Sequence, residues 1–128
     1  MAEVQHLVQE LLESEEAMKP LYEELARSVT GRNEQKVASQ LLQYERLQIL
    51  SLQLLQGDVP ESFLGFGRVK GDGVNVREAP SSRSELVRHA HDGEQVIVCG
   101  YEGYWVEVQT LSGAKGWIFK DYVQPESA

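Results

Sequence analysis

The chain reads as an α+β protein, with an N-terminal antiparallel helical hairpin followed by a C-terminal small β-barrel. Three observations predict this. Glycine and proline are unevenly spread: residues 1–56 hold only Gly31 and Pro20, while ten of the eleven glycines and three of the four prolines come later. The first half is rich in Leu, Glu and Gln, which are good helix formers. The second is rich in Val, Tyr, Trp and Gly, which suit short strands and tight turns.

The first helix is expected from about Ala2 to Val29. Val4, Val8, Leu11, Met18, Tyr22, Leu25 and Val29 alternate steps of four and three, interrupted only at the place of Glu15. That spacing makes a seam for a second helix. Pro20 removes one backbone hydrogen bond, but the pattern stays in phase across it, which favours one kinked helix over two short ones. Gly31 is placed to end the helix in a left-handed conformation and Asn33 to cap the next. The second helix is expected from about Glu34 to Gln56. A connection this short makes the two helices antiparallel neighbours. Val37, Ala38, Leu41, Leu42, Tyr44, Leu47, Ile49, Leu50, Leu52, Leu54 and Leu55 cover most of its circumference, more than one partner helix buries. A four-helix bundle made by two chains accounts for this, and residues 1–56 are expected to dimerise. The alternative is packing of the helix on its own C-terminal domain.

Residues 57–62 read as a linker, because Gly57 ends the helix and Pro60 prevents its resumption. Residues 63–128 form the second domain. Strands are expected at 66–69, 74–77, 86–88, 95–101, 105–109 and 114–119. They are separated by Gly-, Asp-, Ser- and Pro-bearing turns. Strands this short and close together predict a closed or nearly closed barrel. Alternation puts Val74 and Val76 on one face and Asn75 on the other, and Val106 and Val108 opposite Trp105 and Glu107.

Four stretches carry a family likeness. They are Gly73 to Pro80 (with Val74, Asn75, Val76 and Arg77), the strand start Gly93 to Val98, Gly103 to Val108 around Trp105, and the closing Gly116 to Val123. Together they resemble the bacterial SH3-like domain family over about residues 66–124. The resemblance implies an SH3-like β-barrel and a binding role. The ligand would be a protein or peptide, or, in the alternative, peptidoglycan bound by a cell-wall targeting module. In the eukaryotic relatives an aromatic groove binds proline-rich peptides. By that likeness Trp105 matches the groove tryptophan, Phe119 the groove proline, Asp121 the asparagine and Tyr122 the groove tyrosine. Phe119 departs from the pattern. With Tyr101 and Tyr104, these residues make the candidate partner-binding surface.

Other classes of function lack support in the residues. Twenty acids against twelve bases give a net charge of −8, which disfavours nucleic acid and anionic membranes as partners. The longest apolar stretch, Leu47 to Leu55, is interrupted by Gln and Ser and falls short of the roughly 20 residues that a membrane span needs. No secretory signal pattern opens the chain, so a cytoplasmic location is expected. Cys99, the single cysteine, lies in an apolar run and reads as inert packing rather than a nucleophile. His89 and His91 lack a second close pair, so no metal is expected. The acids Glu13, Glu15, Glu16, Glu23 and Glu24 come without a Glu-x-x-His motif and read as a solvated helix face. No phosphate loop or catalytic constellation is present, and neither a cofactor nor an enzymatic activity is expected.

Overall fold

The computed structural model describes residues 2–57 and 59–126. Asp58 of the expected linker and the last two residues of the second domain lie outside the described residues. Contacts divide the chain into two compact units, with the boundary between residues 58 and 59.

The first unit is a pair of helices, α1 (Ala2–Ser28) and α2 (Arg32–Gln56), packed on one another. α1 runs as one helix through Pro20. Pro20 is exposed, so water can reach the carbonyl that it leaves without a partner. The expected connection differs in two details. Gly31 is the N-cap of α2 at φ −72° and ψ 147°, an extended rather than left-handed conformation, and no side chain caps the helix. Asn33 therefore lies inside α2. At the other end, the Gly57 N–H donates to the Leu54 carbonyl, 3.1 Å, and closes the helix where expected.

The face of α1 that is withdrawn from solvent carries Val8, Leu12, Glu15, Tyr22 and Ala26, with Val29 just past its end, at helical steps of three, four or seven. Four members of the single seam expected from sequence are instead largely exposed: Val4, Leu11, Met18 and Leu25. They join Leu7 and Leu21 in a second stripe about a quarter-turn away. In α2 the buried residues are Ala38, Glu45, Leu47, Ile49 and Leu54, whereas Val37, Leu41, Tyr44 and Leu55 are exposed.

The second unit is one antiparallel sheet of seven strands, β1 (Gly65–Val69), β2 (Val74–Arg77), β3 (Leu86–Ala90), β4 (Gln95–Glu102), β5 (Trp105–Gln109), β6 (Lys115–Phe119) and β7 (Val123–Glu126). A 3₁₀ turn, Lys120–Tyr122, joins the last two. The strand order is β3-β2-β6-β5-β4-β1-β7. The core consists of Val69, Val74, Val76, Ala90, Val96, Val98, Val106, Val108, Ile118 and Val123, and every strand contributes to it. Strands spaced about 4.8 Å apart can meet in one small core only if the sheet curls strongly upon itself.

Alternation holds as expected in β2, where Val74 and Val76 are buried and Asn75 exposed. It holds in β5 as well, where Val106 and Val108 are buried and Trp105 and Glu107 half-buried. Strand β7 was not expected. It pairs with β1 in the register Gly67 to Pro125 and Val69 to Val123, and its Glu126 accepts a 2.7 Å hydrogen bond from the Gln95 amide. The sheet edges are β3, with Leu86 and Val87 exposed, and β7, which carries Pro125.

Candidate aromatic binding surface

Strands β5 and β6 pair with Trp105 directly opposite Phe119. Paired residues of an antiparallel ladder project to the same side, so both rings stand on the face opposite Val106 and Ile118, the core residues paired beside them. They meet edge to face with centroids 5.7 Å apart. Tyr104 reaches the same place from the β4–β5 turn, where Gly103 takes φ 58°, a left-handed conformation that glycine adopts without strain. The Lys120 N–H donates to the Tyr104 carbonyl, 2.8 Å, and ties that turn to the start of the 3₁₀ turn. The Tyr104 ring lies 6.3 Å from Phe119 in a stacked arrangement.

The 3₁₀ turn delivers the fourth ring. Tyr122 lies 6.3 Å from Phe119, and its carbonyl accepts from the Lys70 N–H, 2.9 Å, which anchors the turn to the end of β1. Phe119 is therefore the hub, with contacts to Trp105, Tyr104 and Tyr122. It and Trp105 are half-buried, while Tyr104 is 66% and Tyr122 48% exposed. Rings that are held at their base and open at their face can dock apolar or planar groups, and the Tyr hydroxyls remain free to hydrogen-bond.

Asp121 is exposed, and its carboxylate lies 3.6 Å from the Lys120 ammonium. The same ammonium lies 5.6 Å from the centroid of the Tyr104 ring, a cation–π arrangement that sequence reasoning passed over. Tyr101, on β4 and paired with Val106, is 59% exposed and contributes no ring to the cluster. Four of the six expected site residues thus come together as rings, Asp121 sits at the rim, and Tyr101 stands apart.

Several other polar groups of the barrel tie its turns and strands together. Arg88 donates to both oxygens of Glu94, with the Nη1–Oε1 distance at 3.1 Å. The Arg88 hydrogen bond is the main cause that holds the Glu94 carboxyl below its usual range. Asp92 accepts from the Gly71 N–H, 2.8 Å, and its own N–H donates to Asp72, 3.1 Å, so the β1–β2 and β3–β4 turns are stitched together. Cys99 is buried, and burial pushes its thiol up, the condition of an unreactive cysteine. Among the described residues, no group of three or more His, Cys, Asp or Glu side chains could hold a metal ion, and no helix is long and apolar enough to cross a membrane.

Comparison with known proteins fits this geometry. Residues 72–124 match the family described as "Bacterial SH3 domain", the family that the four motifs resemble. The matched span runs from the turn before β2 to the first residues of β7 and contains the whole aromatic cluster. The helical hairpin lies outside the match. No curated protein matches the chain.

Proposed function

We propose that the protein is a non-catalytic binding and scaffolding protein, whose barrel recognises a protein or peptide and whose hairpin joins two copies of the chain. The observation that carries the first half is the Phe119-centred cluster. Four rings converge on a strand-and-turn framework within the bacterial SH3 match, and two of them are open to solvent. Aromatic side chains seated in this way commonly act as energetic anchors of interfaces.

The test uses the Trp105→Ala variant of the full chain. A displayed peptide library and insoluble peptidoglycan serve as probes. Trp105 lies outside the valine core, so the variant should keep its fold while peptide affinity falls at least ~10-fold. Sedimentation with peptidoglycan, abolished by the same substitution, would assign the surface to the cell wall instead. Binding that survives Trp105→Ala would retire this surface.

Self-association is supported by the second stripe of α1. Val4, Leu7, Leu11, Met18, Leu21 and Leu25 alternate steps of three and four, apart from the place of Ser14, and all are exposed. On α2, Val37, Leu41, Tyr44 and Leu55 follow one face at the same helical period. Leu11 lines one groove with Tyr44, and Leu25 lines another with Val37 and Leu41, so the two stripes meet on one side of the hairpin. The ten residues are apolar or aromatic, with Glu15 and Glu34 in the groove walls, and a second copy of the same stripe is a complementary occupant. Light scattering at micromolar concentration should give twice the 14.4 kDa chain mass. Leu11→Glu should return it to one chain, and a wild-type monomer would overturn the pairing.

A further inference from the structure

The seam of the hairpin contains an acid at a position where its register calls for an apolar residue. Ala38, Glu45, Ile49 and Leu52 follow one another at steps of seven, four and three along α2, and all but Leu52 are fully buried. Glu45 is only 2% exposed, and both of its carboxyl oxygens are buried without a hydrogen-bond partner. A carboxylate in that condition forgoes its hydration and receives nothing in exchange.

Its surroundings are acidic as well. The group facing it from α1 is the carboxyl of Glu15, with Glu16 and Lys19 nearby. Glu45 lines a cavity of about 230 Å³ together with Glu16, Lys19 and Glu23 of α1 and Arg46 of its own helix. Glu15 interrupts the α1 seam as Glu45 interrupts that of α2, so two acids occupy facing seam positions. Both cannot ionise there without repulsion.

We propose that the hairpin is a proton-responsive element, in which Glu45 enters the seam as a neutral acid and the helices loosen when it ionises. The electrostatics agree in direction. Burial first, then the Glu15 carboxyl, then the charge of Glu16 raise the Glu45 pKa from 4.5 to about 7, with Lys19 acting in the opposite sense. The folded hairpin thus holds this proton more tightly than the unfolded chain does. The stabilising contribution is full below pH 4.5 and is lost as the pH rises through about 7. The device works within one hairpin, whether or not two copies pair.

Both tryptophans, Trp105 and Trp117, lie in the barrel, so the full chain carries its own control. Ellipticity at 222 nm reports the helices and tryptophan emission reports the barrel. Between pH 5.5 and 8.5 the helical melting temperature should fall by at least about 5 °C. In Glu45→Gln the fall should largely vanish. Should that variant fail to fold, Glu15→Gln must reduce the fall, because it removes the facing carboxyl. A carbon-13 titration of the Glu45 carboxyl should show a midpoint well above 4.5. A midpoint at the ordinary value, a helical melt indifferent to pH, or a dependence that survives Glu45→Gln overturns the proposal. Light scattering on the same samples reads the dimer separately, so failure of one idea is not mistaken for failure of the other.

Discussion

A single hydrogen atom at position 116 decides how closely β2 and β6 approach. A Cβ placed on Gly116 would run into the Val76 side chain, and would lie 3.2 Å from the Arg77 carbonyl. Val76 is a core residue at 2% exposure, so it has nowhere to retreat. Gly116→Ala should therefore destabilise the barrel by about 1–3 kcal/mol, the usual cost of overpacking, read as a drop in the tryptophan-monitored melting temperature. An unchanged melt would show that the two strands separate easily. A glycine preceding Trp117 within a strand is itself a sequence signal of close backbone approach. Glu45 carries no such signal. A Glu in a Leu- and Gln-rich helix reads as a solvent-facing charge, and only the register of the true seam shows that it points inward.

At the level of elements, α1 shows why periodicity alone misleads. Two adjacent stripes, each with steps of three and four, merge into one apparent seam when the partner is unknown. Val4, Leu11, Met18 and Leu25 belong to the exposed one. Pro20 belongs to the same helix and weakens it, because a proline in a helix interior lacks the N–H and crowds the preceding turn. Pro20→Ala should raise the helical melting temperature, by an amount equivalent to up to about 3 kcal/mol. A lower melting temperature would mean that the bend at Pro20 is itself needed for packing. Among the strands, β2 and β5 were legible to the residue because alternation and turn glycines bound them. Strand β7 was not, since Val123 is its only core residue and Pro125 reads as a strand breaker. Pairing with β1 supplies what local sequence does not.

At the level of the molecule, the composition switches after residue 56, and contacts divide the chain between residues 58 and 59. A fragment of residues 59–126 should fold alone and unfold cooperatively, since it exceeds the roughly 40 residues below which small domains usually need a staple. Its start matters. Ser62 donates to the Cys99 carbonyl, and the Leu64 N–H donates to the Val98 carbonyl, 2.8 Å. The last residue of the segment that reads as linker and the approach to β1 are thus pinned to β4, and a fragment that begins after Leu64 should melt lower. The aromatic surface was legible through the family resemblance, which places Trp105, Phe119 and Tyr122 around one groove. Its centre was not, because no linear pattern reveals that three rings converge on Phe119.

The two edges of the sheet differ in a way that bears on crowding. Strand β7 ends the sheet with Pro125, which offers no backbone N–H to an incoming strand, and proline on an edge blunts it against recruitment. Strand β3 has no proline, and it exposes Leu86 and Val87 beside Arg88. Of the two edges, β3 is therefore the one more open to pairing with another strand under crowding.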